Sequence, residues 1–161
     1  MTRSNEFAVI GKTTSKIDAI AKVTGDARFA TDIYLKTMLW ARVMRSTVAH
    51  ARIVSINTEK AKKLKGVKAV LTAADMPDGK YGALVLDMAV FAQDKVRYIG
   101  EAIAAVAAID EKTAAAAVDL IEIEYEDLPA IFDPAEALEE GAHQMHDDKP
   151  GNLSLGYQTV H

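Results

Sequence analysis

Cysteine is absent from the 161 residues. The chain therefore forms no disulfide, offers no thiolate to a metal and has no Cys nucleophile. Aromatic residues are scarce at 6%, and Ala and Val dominate the hydrophobic half of the sequence. An excess of one charge is missing too: 19 basic residues are interspersed with 23 acidic ones, for a net charge of -4. Nucleic-acid binding needs a basic face, and this composition supplies no general one. The local cluster Lys60, Lys62, Lys63, Lys65 and Lys68 reads as a solvated helix end. Long hydrophobic runs are also lacking. The longest candidate, Ala102 to Ile109, has eight residues before Asp110-Glu111-Lys112 interrupts it, against the ~18 of a membrane-spanning helix. The N-terminal "MTRSNEFAVIGKTTSK" holds no apolar run of signal-peptide length. These absences lead to the expectation of a cytoplasmic protein with no nucleic-acid and no membrane partner.

The length suits one domain, and a domain of this size buries roughly 70% of the surface its unfolded chain exposes. Residues 1–15 are polar and read as an N-terminal arm. "KVTGDARFATDI" predicts a turn at Gly25-Asp26, then a strand with Ala27, Phe29 and Thr31 on one face. "MLWARVMRS" and "ARIVSINT" both alternate with a period of two. They are expected to be neighbouring antiparallel strands. Thr58 is a candidate cap for a helix over Glu59–Leu64, ended by Gly66. "VKAVLTA" is a strand, and the stretch from Ala74 to Asp94 is loop or irregular extended chain. Lys95–Ile99 reads as strand, interrupted by Gly100-Glu101. Ala102–Ala108 is short, apolar and partly β-branched, which fits a strand buried on both faces. Asp110 then caps an Ala-rich helix, and "LIEIEYED" restores alternation, with Glu122, Glu124 and Glu126 on the outer face. "DPAEALEEG" predicts a short helix with Pro at its first position. After Pro150-Gly151 another alternating run begins, expected to be the first strand of a further domain. The pattern is α+β.

Several residues invite a chemical reading. Gly11-Lys12-Thr13 resembles the end of a phosphate-binding loop, but Glu6 stands where that motif needs Gly. The stretch reads as a turn in the arm. His143 and His146 have a helical i, i+3 spacing beside Asp147 and Asp148, yet Gly141 and Pro150 argue for a surface loop. His50 lies between two strands with no identifiable nucleophile or partner. Glu122, Glu124, Glu126 and Asp127 form an acidic face of a strand more readily than a cation site. Glu101, a carboxylate beside Gly100 between apolar strands, points to a buried acid or a bulge, and a structural role is favoured. No catalytic, cofactor-binding or metal-ligating residue is assigned on these grounds.

Three collinear blocks carry a resemblance: Lys-Val-Thr-Gly-x-Ala at 22–27, Arg-Ser-x-x-Ala-His-Ala at 45–51 and Tyr-Glu-x-Leu-Pro-Ala at 125–130. With them, about residues 9–155 resemble the α/β hammerhead domain that opens the molybdenum-binding large subunit of the xanthine dehydrogenase/aldehyde oxidase family. The resemblance implies an α/β hammerhead over residues 16–142, with a mixed or antiparallel sheet and two or three helices. Residues 143–161 would then be a linker and the start of a molybdopterin-binding domain. It implies a parent oxidoreductase that hydroxylates with oxygen from water. Electrons would pass through molybdopterin to [2Fe-2S] clusters and often to FAD, carried on other subunits or segments. The implied partners are the remainder of the large subunit and the iron–sulfur and FAD subunits. Thr47, where Pro is common, and Lys36-Thr37, where Pro-Gly is frequent, depart from the family pattern. The family's groups around molybdenum lie beyond the hammerhead, so no catalytic residue carries over. The expectation is a structural, inactive piece that self-associates through apolar surface. The competing reading is a free-standing assembly module that pairs with separately encoded cofactor domains.

Overall fold

A computed structural model describes residues 10–154 of the chain. They fall into two compact units that divide between Met38 and Leu39.

In the smaller unit the strand expected from Ala27 does not form. The chain instead makes helix α1 (Ala19–Thr24) and a 3-10 turn at Ala30–Asp32. The turn chemistry at Gly25 is as expected: its φ of 82° closes α1 in the left-handed region. Ala27 N–H returns to Ala21 O at 2.9 Å, and the Thr24 hydroxyl lies within reach of Ile20 O and the Asp26 carboxylate. Phe29 N–H then donates to the Asp32 carboxylate at 2.9 Å. The backbone donors of Ala27 and Phe29 are thus taken locally, by the Ala21 carbonyl and the Asp32 carboxylate, and are not left for a strand partner.

Among the described residues the larger unit holds six strands: β1 (Trp40–Arg45), β2 (Ala51–Asn57), β3 (Val67–Thr72), β4 (Lys95–Val96), β5 (Ala102–Ala108) and β6 (Glu122–Asp127). They form two antiparallel three-stranded sheets, ordered β1-β5-β3 and β4-β2-β6. With three α-helices, this is the expected α+β class. The expected pairing of β1 with β2 is wrong, because the two lie in different sheets. The link between them is not a hairpin. Ser46 Oγ donates to Val48 O at 2.7 Å and accepts from Val48 N–H. The Ser46 backbone is tied to the Gly100-Glu101 turn at both N–H and C=O, each at 2.8 Å. The chain is therefore handed from one sheet to the other at Ser46.

β5 is the centre of its sheet, and its apolar run is buried as expected, with Ile103, Ala104, Val106 and Ala108 inaccessible or nearly so. One face, Ala104 and Val106, packs with Val70, Ile121 and the helix residues Ala61 and Ala117. The other presents Ile103 to Ala51 and Val96 of the second sheet and to Ala92 of the chain before β4. Helix α3 (Glu111–Asp119) covers the first face. Asp110 caps it, accepting Thr113 N–H at 2.8 Å, and that bond holds the Asp110 carboxyl below its ordinary pKa. Helix α2 (Glu59–Lys63) is not capped by the Thr58 side chain. Asn57 Oδ1 takes Glu59 N–H instead, at 3.1 Å. Gly66 follows with φ +100°, where a Cβ would press on Ile109 and Thr113 at 3.1 Å.

Two more expected elements are shorter than their sequence patterns. The strand at Lys95–Ile99 stops at Val96, because Tyr98 to Gly100 turns: Glu101 N–H bonds Tyr98 O and Gly100 has φ 92°. The segment from Asp133 makes only a 3-10 turn at Glu136–Leu138, with Asp133 Oδ1 accepting Ala135 N–H at 2.7 Å. After Pro150 the described chain is another 3-10 turn, and the strand expected beyond it falls on residues 155–161, outside the described residues.

Ile103→Ala removes the largest side chain of β5 from the contact between the sheets. It is expected to cost about 2–5 kcal/mol, read as a lowered urea midpoint. A midpoint equal to wild type would mean that the second face of β5 is not part of the stabilising core.

Candidate functional site

The residues singled out in sequence disperse. Gly11-Lys12-Thr13 lies in an exposed turn of the smaller unit. In the larger unit the acidic face of β6 is matched rung by rung across β2: Asn57 donates to Glu122 at 3.4 Å, Ser55 to Glu124 at 3.2 Å and Arg52 to Glu126 at 3.2 Å. Lys60 adds an ion pair to Glu122. The carboxylates thus stabilise the register of the sheet rather than converge on a cation. Among the described residues no three His, Asp or Glu side chains gather as metal ligands would.

The structure does bring together His50, Glu101, His143 and Asp147, around β4 and a strap formed by residues 141–152. Lys95 of β4 is 8% exposed, and its ammonium bonds the exposed Asp147 carboxylate at 2.9 Å. This neighbour holds the Asp147 carboxyl below its ordinary pKa. Arg97 reaches the same strap through Nε to Met145 O at 3.3 Å. Its other nitrogens engage Lys95 O at 3.2 Å and the Asp94 carboxylate at 3.7 Å. Glu101 takes the structural role favoured for it: it accepts Arg97 N–H at 2.6 Å and so closes the Arg97–Glu101 turn. At the strap's far end Asn152 accepts Met145 N–H at 2.8 Å and donates to Ala137 O and His143 O, both at 2.9 Å. Its φ of 56° is left-handed, a conformation that Asn tolerates better than most residues.

His50, 3% exposed, joins the second and third sequence blocks. Its Nδ1 lies 2.7 Å from Pro129 O. A carbonyl only accepts, so Nδ1 carries the proton and Nε2 is a buried, unpaired acceptor. Leu128 N–H donates to His50 O at 3.0 Å, and the His143 ring stands edge-on to His50 at 5.2 Å. Nearby, the buried Tyr125 hydroxyl has no hydrogen-bond partner. Burial pushes its pKa up, and the Ser46 hydroxyl, already committed to Val48, opposes this only in part.

Three cavities flank this region. Two, of 590 and 640 Å³, share Asp94 and Asp147 as lining. The third, of 230 Å³, lies between Tyr98-Ile99 and Ala130–Phe132, with Met145 of the strap. Chemically the cluster is self-contained, since each Lys95, Arg97 and Glu101 contact is internal. Sequence reasoning missed Lys95, Arg97 and Asn152. Nothing near Lys95 and Arg97 signalled partners 52 and 48 residues away, and a positive φ at Asn152 has no sequence mark beyond the residue type.

Asp147→Asn tests the latch and its pH dependence. The folded carboxyl titrates below the unfolded one, so its contribution is present above the ordinary Asp value of about 3.9 and fades as pH falls through the lower folded value. Asp147→Asn is expected to be less stable than wild type at pH 7 and to converge with it at strongly acidic pH, in urea melts. A gap that persists at low pH would show that the effect is not ionic. His50→Ala, which leaves Pro129 O without its donor, is expected to cost about 1–3 kcal/mol by the same measurement.

Similarity to known proteins agrees with this architecture. Residues 24–129 match the family described as aldehyde oxidase and xanthine dehydrogenase, a/b hammerhead domain. The chain is 44% identical over 144 residues to the nicotinate dehydrogenase large molybdopterin subunit of Eubacterium barkeri, covering 89% of this chain and 34% of that protein. It is 41% identical over 150 residues to a xanthine dehydrogenase molybdenum-binding subunit of Escherichia coli, covering 86% of this chain and 20% of that one. A solved structure of CO dehydrogenase from Oligotropha carboxidovorans superposes with a TM-score of 0.77 at 40% identity, over 82% of this chain and 17% of that chain. The chain thus spans about a third or less of each of these relatives. With the family model matched over residues 24–129, the chain belongs to the aldehyde oxidase and xanthine dehydrogenase hammerhead-domain family.

Proposed function

We propose that the chain is the hammerhead portion, over residues 16–142, of the molybdopterin-binding large subunit of a molybdenum hydroxylase. Residues 1–15 are an arm and residues 143–161 lead toward the molybdopterin-binding part. The observation that carries this reading is the family match over residues 24–129, joined to 44% identity with a relative named as a large molybdopterin subunit. The parent reaction is oxidative hydroxylation with oxygen from water. Its electrons leave through iron–sulfur clusters and often FAD, carried on other subunits or segments, in the cytoplasm.

Within that enzyme this portion is a framework. Lys95, Arg97 and Glu101 are engaged by neighbouring residues. His50 is closed off at 3% exposure. These groups do not suit molybdopterin, a large anionic ligand that needs accessible donors. The domain's contribution is to hold the strap and the turn at Gly100 in fixed positions for the rest of the subunit.

Metal analysis of two proteins tests the proposal: the 161-residue chain, and the longer product of its reading frame produced with its cofactor. The shorter chain is expected to purify without molybdenum and without hydroxylase activity, and the longer one with about one molybdenum per subunit. Stoichiometric molybdenum in the shorter chain would overturn the framework role. A longer product without molybdenum would overturn the assignment to a hydroxylase.

A further inference from the structure

The 230 Å³ cavity differs in kind from its two neighbours. Half-buried Ala49 and Ala130 give it small walls, and Tyr98, Ile99 and Phe132 stand at its edge. These three are 52%, 64% and 80% exposed, although each is large and apolar. Arg97 lines the cavity too, but its guanidinium is committed to Met145 O, Lys95 O and Asp94. No free charge is therefore on offer to an anionic ligand, and the fitting occupant is apolar. The volume lies below the roughly 300–1,000 Å³ of small-molecule sites, which matches a side chain better than a metabolite.

The walls are also held in place before anything docks. Gly100 N–H bonds Ser46 O at 2.8 Å, which fixes the Tyr98–Gly100 turn, and Asn152 fixes Met145 from behind. Leu128 N–H and the His50 ring fix the start of the Ala130–Phe132 segment. A pre-formed apolar socket of only 230 Å³ is a poor basis for pairing two free chains, because association costs translational and rotational freedom. A segment tethered to the same polypeptide does not meet that cost in full. The relatives supply such a segment, since this chain covers only 34% and 20% of two of them.

We propose that this cavity is the socket for an apolar side chain from the molybdopterin-binding part of the same large subunit, gripped by Tyr98, Ile99 and Phe132. The proposal rests on the reading that the chain is one portion of that subunit. Because the 161 residues contain no cysteine, thiol labelling gives a clean test. Phe132→Cys and, separately, Ile99→Cys are made in the 161-residue chain and in the longer product. Lys65→Cys, at an exposed position, serves as the control. Alkylation of each mapped peptide is followed by mass spectrometry in dilute protein. Both probe thiols are expected to react at least about tenfold more slowly in the longer product, while the Lys65→Cys thiol reacts equally in both. Equal rates at both probe positions would overturn the proposal. So would protection that disappears on further dilution, which would assign the socket to a second copy. Molybdenum content, measured on the same samples, reports separately on the hydroxylase reading. Protected thiols without molybdenum would sink that reading alone, and molybdenum with unprotected thiols would sink the socket alone.

Discussion

The larger unit depends on the burial of both faces and both edges of β5. Its backbone is bonded to β1 on one side and β3 on the other. One face meets α3 and α2, and the other meets the second sheet through Ile103. A strand so enclosed can carry little side-chain bulk, and interiors tolerate no empty volume. The run Ala102–Ala108 answers both demands, because its small residues let helix and sheets approach closely. Each buried backbone group still needs a partner, and only a central strand satisfies all of them by pairing.

From β5 the constraint passes to the turn before it. Gly100 and Glu101 lead into the strand, and both are bonded to Ser46, the residue at which β1 gives way to the link toward β2. The two sheets therefore meet where the second sequence block begins. At the block's end His50 binds Leu128 and Pro129 of the third block through backbone and ring. Two motifs nearly 80 residues apart are thus halves of one hydrogen-bonded joint. Two of the three blocks that carry the family resemblance thus meet at the joint between the sheets, while the first, at 22–27, lies in the smaller unit.

The polar residues next to this joint follow the same logic. A buried lysine costs stability unless it is paired, and Lys95 is paired by an aspartate from the strap. Arg97, whose donors meet two carbonyls and a carboxylate, ties β4 to the strap. What remains uncommitted at this surface is apolar, at Tyr98, Ile99 and Phe132. A face with saturated charges and open hydrophobic rims is organised for packing against protein.

Much of the local structure was legible in the chain. The eight-residue apolar run, the Asp110 cap and the alternating Glu face of β6 each follow from short-range chemistry: burial, a single side-chain acceptor, and a period of two. Short-range rules failed where they had to choose among partners. β1 and β2 both alternate and lie close in sequence, yet β1 pairs with β5 while β2 has both edges taken by β4 and β6. The strand expected after Gly25 lost to Asp26 and Asp32, which bind local donors. The roles of Lys95 and Arg97 were invisible for a related reason, since Asp147 and Met145 lie 52 and 48 residues away. By itself the sequence determined the main strands of the larger unit, the Asp110 cap and the family. Only the tertiary structure decided which strands share a sheet, which charges are neutralised and where apolar surface is left open, because each of these is settled by contacts between residues remote in the chain.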